Sequence, residues 1–139
     1  MKHIKTFESF LNEAATYQSL ENDLRKTFEK TGVQKSCYDG DFAISASAWE
    51  IGHPNGSIGI TFWLMEEVPT NKLDAVAKDW AKKNKLEAAT FYPNGITPNV
   101  DPTKNQNWNN KAAQNANYVY GFTFYDKNYA SKSVYTPLK

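Results

Sequence analysis

A thiol and an imidazole are the first side chains whose chemistry could be put to use. Cys37 and His53 would make a nucleophilic pair if they met. They bracket the stretch "DFAISASAWEI", which alternates as a strand does, and about eleven extended residues hold them roughly 35 Å apart. A dyad is therefore not expected: Cys37 reads as a bystander thiol and His53 as a residue flanking a turn. One cysteine excludes an internal disulfide. With only two histidines it also leaves too few soft ligands for a structural zinc site.

Carboxylates come next. Asp39 and Asp41 start that strand, and Glu66 and Glu67 end the strand that should pair with it. Four carboxylates at one end of a hairpin are the only metal candidates, because Mg²⁺ and Ca²⁺ take oxygen ligands. No EF-hand spacing is present, and rim charges in water are the preferred reading, so no metal or other cofactor is expected. "YVYGFTFYD" resembles the aromatic strand of an RNA-recognition fold, whose exposed rings stack on bases. The basic residue that should precede its glycine is missing, and alternating rings on a central strand usually form core. The chain has no phosphate-binding glycine loop, no Gly-x-Ser-x-Gly elbow and no His-Glu-x-x-His. Nothing in it argues for an enzyme.

The elements that must position these residues are legible from periodicity. Ser19 reads as an N-cap for a helix over 19–31, in which Leu20, Leu24 and Phe28 recur at every fourth position and Gly32 supplies the stop. "DFAISASAWEIGHPNGSIGITFWLME" reads as a β-hairpin with Asn55-Gly56 in a two-residue turn. Such a turn gathers Trp49, Ile51, Ile58, Ile60, Phe62 and Leu64 on one apolar face. It leaves Ile44, Ala46, Ala48, Glu50, Thr61, Trp63 and Met65 on a mixed face. "TNKLDAVAKDWAKKNK" is an amphipathic helix with Leu73, Val76, Ala77, Trp80 and Ala81 inward, and Asn71 with Asp74 resembles a capping box. This helix should lie on the apolar face of the hairpin. Strands follow near 87–92 and 117–125, the second with Tyr118, Tyr120, Phe122 and Phe124 on one face. Between them, residues 93–116 form a long Asn/Pro-rich loop carrying Trp108, which would be either functional or a tolerated insertion. The expectation is an α+β fold in the order α-α-β-β-α-β-β: a four-stranded, mainly antiparallel sheet with helices on one face.

Composition narrows the partners. The chain has 139 residues, 40% of them hydrophobic, and a net charge of +1. Of its sixteen basic residues only Arg25 is an arginine, which makes strong nucleic-acid binding a poor expectation. The excess of Lys and Asn reads as the mark of an AT-rich coding genome. No apolar run approaches the ~20 residues of a membrane helix. Lys5 and Glu8 interrupt what a secretory signal would need, and Glu8 and Glu13 without arginine do not suit an organelle presequence. Synthesis in a reducing cytoplasm follows.

The first residues, "MKHIKTFESFLNEA", place Ile4, Phe7, Phe10 and Leu11 on one helical stripe. This stretch resembles the capsid-targeting leader of internal head proteins in T-even-like tailed phages. The resemblance covers residues 1–14 and implies a prohead-protease cut after Glu13, in a pattern met by Leu11, Asn12, Glu13 and Ala14. A helix of about twelve residues is marginal alone in water. It can be helical when its four apolar side chains dock in a groove and extended when a protease reads it. Residues 1–13 would then be a detachable leader and residues 14–139 a single domain. The leader's partners would be the phage scaffold core and the prohead protease.

The function this implies is a non-enzymatic passenger, located in the capsid interior and then in the host cytoplasm. There it would bind a host macromolecule such as a restriction or other defence enzyme, with no membrane and no strong nucleic-acid partner. Trp63 and Trp108 are candidate contact residues, since aromatic side chains often anchor interfaces. One alternative is a capsid or scaffold-associated structural protein that stays in the head. Another is a small divalent-cation-dependent enzyme built on Asp39, Asp41, Glu66 and Glu67.

Overall fold

The computed structural model describes residues 19–47, 57–90, 92–99, 110–126 and 136–138. Helix α1 covers 19–29 within them and presents Leu24 and Phe28 inward, both fully buried. Ser19 is itself helical, so the expected N-cap at that position is corrected. The stop is as read: the Gly32 N–H donates to the Glu29 carbonyl, and Gly32 takes the left-handed conformation at φ 79° that glycine adopts without strain. Two 3₁₀ turns, Val33–Ser36 and Tyr38–Gly40, then lead into the sheet.

The strands are β1 (Ala43–Ser47), β2 (Ser57–Leu64), β3 (Glu87–Thr90), β4 (Thr97–Pro98), β5 (Tyr118–Tyr125) and β6 (Thr136–Pro137). Every pairing among them is antiparallel, in the order β1-β2-β5-β3-β6, with β4 also on β5. The α+β class and antiparallel sheet agree with the sequence reading; the strand number does not, six among the described residues standing against the expected four. The additional strands are two residues each, too short to leave a period in the sequence.

β3 and β4 lie along the same edge of β5 as one interrupted strand. Continuing β3's register would bring Thr97 opposite Asn115, yet it stands opposite Val119, four residues further on. The surplus is taken up by a turn closed from Gly95 N to Tyr92 O at 3.0 Å, with Gly95 at φ 94°.

The hairpin register is the main correction. A two-residue turn at Asn55-Gly56 would put Ala43 opposite Val68; Ala43 instead faces Thr61 and Ile44 faces Ile60. Asn55, Gly56, Trp49 and Ile51 lie outside the described residues; the described ladder ends with Ser47 opposite Ser57, where the expected register would set residue 54. The shift is odd, so it turns β1 over. Ile44, expected on the mixed face, shares the side of Ile58, Ile60, Phe62 and Leu64 and packs on their core.

Helix α2 (Thr70–Lys83) buries Leu73, Ala77, Trp80 and Ala81, as its spacing predicts. The capping box is not formed. Pro69 occupies the N-cap with no side-chain hydrogen bond, Asn71 is helical, and Asp74 accepts a hydrogen bond from the Tyr120 hydroxyl. α1 and α2 cover one face of the sheet. Phe62 sits among Phe28, Phe42 and Phe122 with ring centroids 5.4, 5.7 and 6.1 Å away, and Trp80 meets Phe124 edge-on at 4.8 Å. Trp80 Nε1 also donates to Asp23 Oδ2 at 2.8 Å, clipping α2 to α1.

Within the expected loop, α3 (Lys111–Asn115) stands beside Trp63, on the opposite face from α1 and α2. Its asparagine surroundings do structural work. Asn110 Oδ1 accepts from Ala113 N at 3.2 Å, capping the helix start. Asn99 Nδ2 donates to the carbonyls of Ala113 and Ala116 at 2.7 and 2.8 Å, satisfying its end. Asn117 bonds the Leu64 and Met65 carbonyls. The described parts of 93–116 are thus ordered by side-chain amides.

Candidate functional site

Glycine and aromatic spacing decide what β5 can do. Gly121 lies where a Cβ would collide with the Ile60 carbonyl oxygen of β2 and stand 3.2 Å from Thr61 Cα. The glycine in "YVYGFTFYD" therefore serves close strand approach. Tyr120, Phe122 and Phe124 are buried under the helices, with Tyr120 and Phe122 in edge contact at 5.2 Å. Their faces are closed to a nucleobase, so stacking on RNA through this row is excluded. Burial, the hydrogen bond to Asp74 and the charge of Asp74 raise the Tyr120 hydroxyl well above its ordinary value.

Cys37 is 5% exposed. Its thiol donates to the Val33 carbonyl at 3.4 Å, and burial, reinforced by the charge of Asp41, pushes it up to about 11. Such a thiol is protonated at neutral pH and is no nucleophile. His53 lies outside the described residues.

Two of the four carboxylates are engaged, with different partners. Asp41 Oδ1 accepts from Arg25 Nη1 at 3.2 Å and from the Phe42 N–H at 2.8 Å. Glu66 Oε1 accepts from the Ser36 hydroxyl at 2.9 Å. Asp39 is exposed in a left-handed conformation at φ 57°, and Glu67 is exposed. Among the described residues no three His, Cys, Asp or Glu side chains are grouped closely enough to hold a metal ion. The expected cluster is corrected: Asp39 sits within the Tyr38–Gly40 3₁₀ turn and Asp41, in extended backbone, caps its end.

Trp63 stands between the inward Phe62 and Leu64 and so points to the face opposite the core, where it is half-buried. It forms one wall of a cleft of about 230 Å³ shared with Tyr38, Asp39, Asn110 and Lys111. The 3₁₀ turn supplies one side of this cleft and the start of α3 the other. Tyr38, Phe42 and Trp63 with mixed charges at the rim suit seating a partner's side chain and offer no acid–base or nucleophilic pair. Trp108, Ile4, Phe7, Phe10, Leu11, Glu13 and Ala14 lie outside the described residues.

Sequence reasoning missed the Asp23–Trp80 and Asp74–Tyr120 hydrogen bonds. The available signal was an acidic residue beside the apolar stripe of each helix. Among the described residues no helix is long and apolar enough to cross a membrane. No protein-family model, curated protein or solved structure matches the chain.

Proposed function

We propose that the chain is an internal head protein of a tailed phage, packaged by residues 1–13, cut after Glu13 and delivered with the genome to bind a host protein such as a defence or restriction enzyme. The observation that carries this reading is the sequence Leu11-Asn12-Glu13-Ala14 behind an amphipathic stripe of Ile4, Phe7 and Phe10. The position of α1 supports it: Leu24 and Phe28, the inward side chains of that helix, lie well downstream of Glu13. Scission there leaves both with the passenger. The near-neutral charge favours a protein target over packaged DNA, since few phosphates could be neutralised. The Trp63 cleft offers a seat for a partner side chain. With one cysteine there is no internal disulfide to oppose unfolding for passage through a tail, and domain stabilities of ~5–15 kcal/mol are within reach of modest force.

Mass spectrometry of purified particles tests this directly. The expected N-terminal residue is Ala14, and the protein should leave the shell with the DNA. Recovery of the chain with Met1 intact, or its absence from particles, overturns the reading. Retention in emptied heads would assign it to the capsid structure instead.

A further inference from the structure

We propose that the cleft between α2 and β6 binds an acidic amphipathic segment of a partner protein, an inference that rests on the host-binding reading above and names the chemistry of the partner. The cleft measures about 410 Å³. Its apolar floor comes from Ala81 of α2, Leu86 and Ala88 on either side of the start of β3, and Leu138 beyond β6. Ala81 and Ala88 are buried, while Leu86 and Leu138 are half-buried and continue into the main core. Backbone fixes the far wall, with Leu138 N donating to Ala88 O at 3.0 Å. The near wall is cationic. Lys78 and Lys82 line it from successive turns of α2, both exposed and without an ion pair among the described residues.

Residues four apart on a helix stand ~5–6 Å apart at Cβ. Two carboxylates on neighbouring turns of a partner helix can therefore reach both ammonium groups while an apolar side chain between them enters the floor. Exposed Lys83 and Lys85 extend the positive field beyond the cleft, against Asp79 on α2 and Glu87 at the rim. A nucleic-acid strand fits less well, because the floor is apolar and offers its sugars and bases no polar contact. A partner segment gains from both parts of the site, apolar burial on the floor and charge at the wall.

The test uses the full chain and a short fluorescein-labelled peptide of repeating Leu-Glu-Glu-Leu-Glu-Glu-Glu, whose leucines share one helical face, followed by fluorescence anisotropy and by NMR shift mapping. Binding should perturb Lys78, Lys82, Leu86 and Leu138 together, and K78E/K82E should weaken it roughly tenfold or more. A second peptide with Lys in place of Glu should bind that double variant in preference to the parent chain. Thermal melting establishes that the double variant is folded, since both positions are exposed. Equal binding of the acidic peptide to parent and variant overturns the proposal, as does mapping of the shifts elsewhere. So does saturation of the same residues by a DNA oligonucleotide or by laurate but not by the peptide. Packaging and cleavage of K78E/K82E in particles reads the leader separately: they should persist, so a failed cleft and a failed virion assignment give different results.

Discussion

The two faces of the central strands are buried by different means, the second only in part, since Gly59, Thr61 and Trp63 of β2 stay half-buried there. On one, Ile58, Ile60, Phe62 and Leu64 of β2 meet Tyr120, Phe122 and Phe124 of β5 beneath α1 and α2, and rings fill the space. On the other, Ser57, Thr123 and Val119 are nearly as inaccessible, Tyr125 is 1% exposed, and Ala89 forms with it a separate small cluster. The first face is closed by apolar volume. The second holds small and hydroxyl-bearing residues, Ser57, Ala89 and Thr123 among them. A sheet face can thus be largely buried without being strongly hydrophobic. Polarity alone would have assigned this face to solvent.

Substitutions at the meeting of the two faces should break the comparison most severely. Gly121→Val drives a branched side chain into the β2 backbone, and a loss of more than about 4 kcal/mol is expected, read as absence of a cooperative urea transition. Phe62→Ala empties the ring cluster and should cost about 3–4 kcal/mol, measured from the same transition. If it costs less than the smaller Thr123→Ala on the opposite face, the contrast between the two faces is wrong.

Alkaline pH sharpens the contrast further. The Cys37 thiol is raised when folded, so its neutral form is the one the fold favours. The associated stability is complete below pH about 9, the ordinary thiol value, and is lost as pH climbs toward about 11. The loss should be on the order of 2 kcal/mol, and Cys37→Ala should flatten that part of the denaturation profile. Tyr120, raised further, adds to the decline at still higher pH. Tyr120→Phe at neutral pH should cost about 1–2 kcal/mol by leaving Asp74 without its donor. Smallest of all is Arg25→Gln at the exposed Arg25–Asp41 pair, where the side chains are 36% and 65% accessible. Its cost should be under about 1 kcal/mol and should shrink with added salt. A larger cost would mean that Asp41 does more than carry an exposed ion pair.

Much of the fold was legible, and where it was not the reason is specific. Leu73, Ala77, Trp80 and Ala81 announced α2 because helical burial repeats within one segment. Tyr120, Phe122 and Phe124 announced β5 in the same way. β1 was assigned to the wrong side because the Asn55-Gly56 dipeptide favours a local turn that the ladder overrides. Asp74 resembled a capping residue because local spacing cannot reveal a tyrosine 46 positions away. The cleft at Lys78 and Lys82 was illegible for a related reason, since its second wall comes from the distant Leu138. Trp63 was recognised as a contact candidate, but its neighbours Tyr38 and Lys111 were not.

By itself, the sequence determined the inward stripes of α1 and α2, the alternation of β5, the lone thiol and a charge close to neutral. Each is a property of composition or of side chains a few residues apart, where helix and strand periods act directly. Tertiary structure alone decided the register of β1, the recruitment of β4 and β6, the Gly121 approach and the partners of Asp23 and Asp74. Those depend on which distant segments lie opposite one another, a choice settled by the summed packing and hydrogen bonding of the whole sheet rather than by any one turn.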